Sequence, residues 1–381
     1  CVFINRLFNI KAGGDVKPEL YADKKDENHP FPVYTNTKSA DDVYAYTSLA
    51  TCPSNSITVT GRGEVGHAIF RETPYDAIVR LLSLTPKSNI ICKFYAYFID
   101  TVIPFSSDSA AIGQLSAVQI KQKHVTLPPL SEQRSIVSFL DAKCGKIDEW
   151  VTKKQKEVEH LQELKQRVIA DAVTRGLNPH VKMKATNIPW LKEIPEHWEC
   201  VKLKMFCQDN KEKNKGDIES CVLSLSYGNI IVKKNVNFGL VPENYDSYQI
   251  VNPGNIILRL TDLQNDHKSL RTGLVKNRGI ITSAYVGLIV KNMNSEYTQL
   301  ILHSYDVMKV FYGMGGGLRQ SMSYTDIANV YIPVPPLSEQ KQIVSYLDTK
   351  TSKIDKLIAH ITKEIECIKE YKQRLISDVV T

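Results

Sequence analysis

The sequence predicts an α+β chain in which two globular domains alternate with two long helices, the helices pairing as an intramolecular coiled coil. Three observations carry this. The chain has 381 residues, too many for one ordinary small domain, with 43% hydrophobic and 23% charged residues, as in globular proteins. A 47-residue stretch occurs twice, 128–174 and 335–381, with 26 identities and no gap. Within each copy the apolar residues recur at alternating steps of three and four, the a/d seam of a coiled coil.

Taken in order, residues 1–127 form the first domain. Strand-like runs at 31–34, 56–60, 67–70 and 77–84 are punctuated by Gly, Pro, Asn and Asp, and a short helical pattern follows near 116–120. Residues 128–177 form the first long helix. It opens at Pro128-Pro129-Leu130-Ser131-Glu132-Gln133, where Ser131 is the expected N-cap, and stops at Arg175-Gly176 before Asn178-Pro179. Its seam is Ile147, Val151, Lys154, Val158, Leu161, Lys165, Val168 and Ala172, a span of about 26 residues or 39 Å. Residues 178–334 comprise a linker and the second domain. Pro179, Pro189 and Pro195 give 175–198 the look of a linker laid on a surface. Strand-like runs follow at 222–225, 229–233, 255–260 and 284–290, then a helical pattern near 324–330. Residues 335–381 form the second long helix, opening at Pro335-Pro336-Leu337-Ser338-Glu339-Gln340. Its seam is Ile354, Ile358, Ile361, Ile365, Ile368, Lys372, Leu375 and Val379. Two such stripes are buried most simply against each other, and the intervening domain is long enough for either orientation. Lys165 and Lys372 share one seam position, where a lysine either fixes register or snorkels to water.

Composition excludes several classes. The net charge of +7 is spread along the chain, which permits a nucleic-acid partner without indicating one. The longest apolar-leaning run, 279–290, is far short of the roughly 20 residues of a membrane span. Eight cysteines without a CxxC pair read as reduced thiols packed as small hydrophobes in a cytosolic protein. Gly61-Arg62-Gly63-Glu64-Val65-Gly66 matches GxGxxG. However, the alternating residues after it predict a strand where a dinucleotide site needs a helix, and no suitably placed acid follows, so the expectation is a tight hairpin. No GxxxxGK[ST] loop, HExxH pair, nuclease Pro-Asp or amino-methyltransferase tetrapeptide is present. Two further segments have base-reading chemistry. They are Gly313-Met314-Gly315-Gly316-Gly317-Leu318-Arg319-Gln320-Ser321 and the stretch 259–271, rich in bidentate side chains.

The paired Pro-Pro-Leu-Ser-Glu-Gln segments are each followed by Ile-Val-Ser-aromatic-Leu-Asp and a seam helix. They resemble the conserved regions of the specificity subunit of Type I restriction–modification enzymes. The linker Ile188-Pro189-Trp190-Leu191-Lys192-Glu193-Ile194-Pro195-Glu196-His197-Trp198 is similar to the segment that opens a target recognition domain there. The start at Cys1 has no such Trp-containing opening, which suggests a truncated first domain. The resemblance implies two target recognition domains, each reading one half of a bipartite double-stranded DNA target. It also implies an antiparallel, pseudo-two-fold coiled coil that sets the spacer. Candidate DNA contacts are Asn36, Arg62, Gly63 and His67 in the first domain. In the second they are Arg259, Thr261, Gln264, Asn265, Lys268, Arg271, Arg319, Gln320 and Ser321. Pro128, Pro129, Glu132, Gln133, Pro335, Pro336, Glu339 and Gln340 are expected to dock two modification subunits. The implied chain is a non-catalytic, cytoplasmic subunit without membrane contact, cofactor or metal. S-adenosylmethionine, ATP and Mg would belong to the modification and restriction subunits, and DNA binding by this chain alone would be weak or non-specific. The alternatives are a coiled-coil protein-interaction scaffold, an enzyme using the Gly61–Gly66 loop, and the analogous subunit of a related DNA-modification defence system.

Overall fold

A computed structural model describes residues 1–105, 114–233, 244–263, 270–314 and 321–381. The chain divides into two compact units, residues 1–156 with 361–381 and residues 157–360, and the division passes through both long helices.

In the first unit, a four-stranded antiparallel sheet runs in the order Phe8–Ala12, Leu82–Pro86, Ser56–Val59, Ala68–Arg71. The helix Cys92–Val102 buries Phe94, Tyr95, Phe98 and Ile99 in one core with Ile57, Val59, Leu82 and Leu84 of that sheet. A second sheet, with strands Tyr21–Ala22, Ala45–Thr47, Phe31–Tyr34 and Asp76–Ala77, completes the domain. The single strand expected over 77–84 is two strands. Val79 and Arg80 take left-handed backbone angles (φ 52° and 59°), which break the extended run.

The second unit repeats the first sheet's plan. Its strands run in the order Cys207–Asp209, Val286–Val290, Ile256–Leu258, Thr272–Leu274, again all antiparallel. The helix Ser295–Val307 buries Tyr297, Ile301, Leu302 and Tyr305 in a core with Ile256, Leu258 and Leu288. The likeness reaches single residues. Ser116 closes a capping box with Gln119 at the helix Ala117–Lys121, and Ser323, at the repeat offset, closes one with Asp326 at Tyr324–Ile327. Two-stranded ladders, Val2–Phe3 with His124–Val125 and Glu199–Lys202 with Tyr331–Val334, lead into the respective long helices.

The long helices span Leu130–Arg175 and Leu337–Val380, 46 and 44 residues, or roughly 70 Å each. They exceed the 26-residue expectation because the segment before the seam is also helical, with Leu140 and Cys144 in the first core and Ile343, Val344 and Leu347 in the second. Both open one residue ahead of the expected serine cap. The carbonyls of Pro129 and Pro336 accept the first helical bonds, from the backbone N–H of Gln133 and of Gln340 (3.0 Å each). Gly176, at φ 76°, ends the first helix as expected.

Every seam position is buried or half-buried, including the three lysines. In the first unit Lys372 pairs with Asp148 (2.6 Å) and Lys154 with Glu364 (3.8 Å); in the second Lys165 pairs with Asp355 (2.7 Å). As the number rises along one helix it falls along the other, so the segments run antiparallel in the first unit. The same holds in the second, where Ile169, Ala172 and Val173 share a core with Ile343, Val344 and Leu347. The Lys165 and Lys372 pairs are equivalent under the repeat, so each lysine meets the aspartate of the opposite helix's Lys-Ile-Asp triplet. The lysines therefore mark register.

The stretch expected as a surface linker is a β-hairpin, Met183–Ile188 with Leu191–Pro195. Leu191, Ile194 and Trp198 are buried in the second core, and the Trp198 indole N–H donates to Glu339 (3.0 Å). Its prolines punctuate turns, while its large apolar residues anchor it. All eight cysteines are unpaired, and among the described residues no helix is long and apolar enough to cross a membrane.

Candidate nucleic-acid interface

Two of the candidate segments occupy the same place in the two units. Residues 60–67 connect the hairpin Ser56–Val59 and Ala68–Arg71, and residues 259–271 connect the hairpin Ile256–Leu258 and Thr272–Leu274. Each is the turn between the third and fourth strands of the equivalent sheets. The GxGxxG match is thus a hairpin turn, as the alternation after it predicts.

The first loop is held from beneath. Thr60 Oγ1 donates to the Glu64 carbonyl (2.7 Å) and accepts from the His67 N–H (3.0 Å). Asn36 Oδ1 accepts from the N–H groups of Gly61 (2.7 Å) and Arg62 (3.2 Å), while its Nδ2 donates to Val79 O (2.7 Å). With both ends of its amide engaged inside the protein, Asn36 positions the loop. His67 sits at the loop's base with Nδ1 3.3 Å from Asp100. Arg62 and Gly63 form the exposed apex, Gly63 at φ 70° with open space where a side chain would stand.

The second loop is held in the opposite sense, through its carbonyls. Arg271 is fully buried. Its guanidinium donates to the carbonyls of Arg259 (3.1 Å), Thr261 (2.8 Å) and Asp262 (3.3 Å) and to the Tyr312 hydroxyl (3.1 Å). Its backbone N–H donates to Asp306 (2.7 Å). Arg271 cannot reach a base edge and is corrected from a reader to the clamp of this loop. Arg259 and Thr261 are half-exposed; Gln264, Asn265 and Lys268 lie outside the described residues.

The residue that follows the glycine-rich candidate meets the second loop at its root. Arg319 and Gln320 lie outside the described residues, and Ser321 is exposed. The next residue, Met322, donates its N–H to Leu260 O (2.9 Å) at the root of the second loop. At the repeat offset, Leu115 donates to Gly61 O (2.9 Å) in the first unit, where Gln114 also bridges to Arg62. Two segments singled out in the sequence, and the residue that follows the third, thus map onto one topological site present once in each unit.

The docking candidates divide. Gln133 and Gln340 are buried, and their roles match. Gln133 accepts from Ile91 N–H (2.9 Å) and donates to Pro128 O (2.8 Å); Gln340 accepts from Asn294 N–H (2.9 Å) and donates to Pro335 O (2.8 Å). Ile91 and Asn294 are the N-caps of the helices Cys92–Val102 and Ser295–Val307. Each glutamine therefore fastens a domain helix to the root of a long helix, and neither faces outward. Pro335 is buried, and Pro128 and Glu339 are half-buried, the carboxylate of Glu339 also lying 2.9 Å from His197 Nε2. Pro129, Glu132 and Pro336 are exposed. A further matched pair on the helices, at the aromatic position of the repeated Ile-Val-Ser-aromatic-Leu-Asp run, was not among the docking candidates. Phe139 and Tyr346, one repeat apart, are both exposed, with Lys143 and Lys350 lying 5.8 and 5.7 Å from the ring centres.

The model of the Type I restriction modification DNA specificity domain matches residues 2–160 and again 195–367. The chain belongs to this family. Type I specificity-domain relatives include a putative type I specificity subunit of Mycoplasma pneumoniae, 29% identical over 35% of this chain and 39% of its own length. The chain thus spans well under two thirds of that relative. The putative type I restriction enzyme MjaX specificity subunit of Methanocaldococcus jannaschii is 26% identical over 80% of this chain and 71% of its own. In fold, this specificity-domain chain is similar to a chain of a solved type I R-M system described for complex assembly and conformational transition. The TM-score is 0.68 at 13% identity, over 98% of this chain and 97% of that one.

Proposed function

We propose that this chain is the DNA-sequence-recognition subunit of a Type I restriction–modification complex, each unit reading one half of a bipartite double-stranded target. The observation that carries it is the pair of equivalent hairpin loops, 60–67 and 259–271, each bonded at its root by the residue before the capping serine of a short helix, Leu115 or Met322. Loops with different side chains on one rigid plan suit two different half-sites. Exposed Arg62 and half-exposed Arg259 supply donors for base edges or phosphates. His67, Thr261, Ser321 and, outside the described residues, Gln264, Asn265, Lys268, Arg319 and Gln320 complete the reading set.

The helices then act as the spacer, and the repeated elbows dock two modification subunits. Pro129, Glu132 and Pro336 are the outward part of each elbow, continued along each helix by Phe139 with Lys143 and Tyr346 with Lys350. The aromatic–cation pair recurs at the repeat offset on exposed positions, where a fold alone makes no demand. That suits one partner met twice. Catalysis in this reading belongs to the partners: S-adenosylmethionine with the modification subunits, ATP and Mg with the restriction subunits, all in the cytoplasm.

The test is single-molecule methylation sequencing of plasmid DNA from cells expressing the chain with its modification subunit. Arg62→Ala should relax one half-site and leave the other intact. Arg259→Ala and Arg319→Ala should relax the other half. Loss of both half-sites by any one of these variants would contradict independent readers.

A further inference from the structure

We propose that Tyr227 is a DNA-contacting residue of the second unit, seating its ring in the groove beside the bases that the 259–271 loop reads. This rests on the DNA-reading role proposed above and extends it to a hairpin outside that loop.

Among the described residues Tyr227 is the most exposed of the large hydrophobic side chains, at 87%. It stands at the apex of the hairpin Leu223–Ser226 with Asn229–Val232, where Ser226 pairs with Asn229 and leaves a two-residue turn, Tyr227-Gly228. Both residues have positive φ, 46° and 76°, the signature of a type I′ turn. Asn or Gly favours the first position of such a turn, whereas a bulky aromatic residue rarely adopts that backbone. The turn is therefore built against local preference around a side chain that the domain core does not use. Strain of this kind gathers where a surface does work.

The location supplies the occupant. A side chain added at Gly228 would meet Leu270 at 3.2 Å and the Thr272 carbonyl at 3.7 Å, so the turn rests on the returning end of the 259–271 loop. A side chain at Gly273 would strike Leu225 at 2.7 Å and Ile230 at 2.9 Å, so the hairpin lies flush on the strand that leaves the loop. A two-stranded ribbon has the width to enter a major groove. An apolar ring with a hydroxyl at its tip suits the mixed edge there, the ring against a thymine methyl or a sugar and the hydroxyl toward an acceptor. The occupant is thus the same duplex that lies on the neighbouring loop.

Two variants separate side chain from turn. Tyr227→Asn installs the residue the turn prefers and removes the ring, while Tyr227→Phe keeps the ring. Each is co-expressed with the modification subunit, and methylation is sequenced site by site while the melting temperature of the purified chain is recorded. Tyr227→Phe should methylate the wild-type sequences. Tyr227→Asn should melt no lower than wild type, yet lose about tenfold in methylation rate or base preference in the half-site read by the second unit. Wild-type methylation by Tyr227→Asn would overturn the inference and leave the two-reader function standing. Loss of modification-subunit co-purification in Tyr227→Asn would also overturn it, by assigning Tyr227 to a protein contact. Failure of the unaltered complex to methylate any bipartite site would instead overturn the function on which the inference rests.

Discussion

Arg271 shows how residue type and residue role separate. Arginine in a loop rich in Asn, Gln and Lys reads naturally as a base contact, yet its side chain points inward and holds three loop carbonyls. Truncating it leaves those acceptors buried without a donor. Arg271→Ala should therefore lower stability by about 2–4 kcal/mol in urea unfolding of the full chain, well beyond a surface arginine. An effect below about 1 kcal/mol would return Arg271 to the readers. His303 makes a second prediction at this scale. Burial first, then the charge of Lys165, pushes its pKa down to about 4, and its Nε2 lies 2.9 Å from the Gln166 side chain of the first long helix. The folded imidazole stays neutral where the unfolded one takes a proton, so stability is full above the ordinary histidine range near 6.5 and falls as pH drops toward about 4. The loss is at most about 3 kcal/mol. His303→Gln should flatten this dependence, as measured by chemical unfolding at pH 7 and pH 5. Asn36, Arg271, Gln133 and Gln340 were visible in the sequence as polar residues near turns. Their inward direction was not, because it is set by the tertiary packing around them.

At the scale of elements, the repeat was the most legible feature. A seam spaced three and four apart is a local property of the chain, and each of its positions is buried or half-buried. The hairpin strands around Gly61–Gly66 were legible for the same reason, through their two-residue alternation. The division of 77–84 and the hairpin within 183–195 were not. Positive backbone angles at Val79 and Arg80 follow from tertiary packing, and the burial of Trp198 requires Glu339, 141 residues away. The seam lysines yield a prediction here. Asp148→Lys alone should place like charges opposite Lys372, and Lys372→Asp alone should oppose Asp148. The double variant should restore the pair, with a coupling of about 0.5–1 kcal/mol because the aspartate is largely exposed. Additive single effects in thermal unfolding would deny the lysines their part in register.

For the molecule as a whole, the two units share sheet order, capping boxes, glutamine clasps and hairpin loops, while their loop sequences differ. Direct alignment of the two halves shows the duplication where the helices lie, since the helices have one pattern to satisfy. The domains keep the plan through backbone hydrogen bonds that many sequences can make, so their kinship shows in the strand order and in the one family model that matches both. The proposed spacer role is testable at this scale. Inserting one heptad in each long helix adds roughly 10 Å, about 3 base pairs of duplex, and should widen the unread gap between half-sites by that amount. A gap of unchanged width in an active complex would remove the helices from spacing.

The central claim, two like-built units each reading its own sequence, is met most directly by sequencing the methylome of a host that expresses this chain with its modification subunit. The account predicts one motif made of two short, dissimilar blocks separated by a fixed run of unspecified bases. A single uninterrupted motif, or blocks at variable separation, would contradict it.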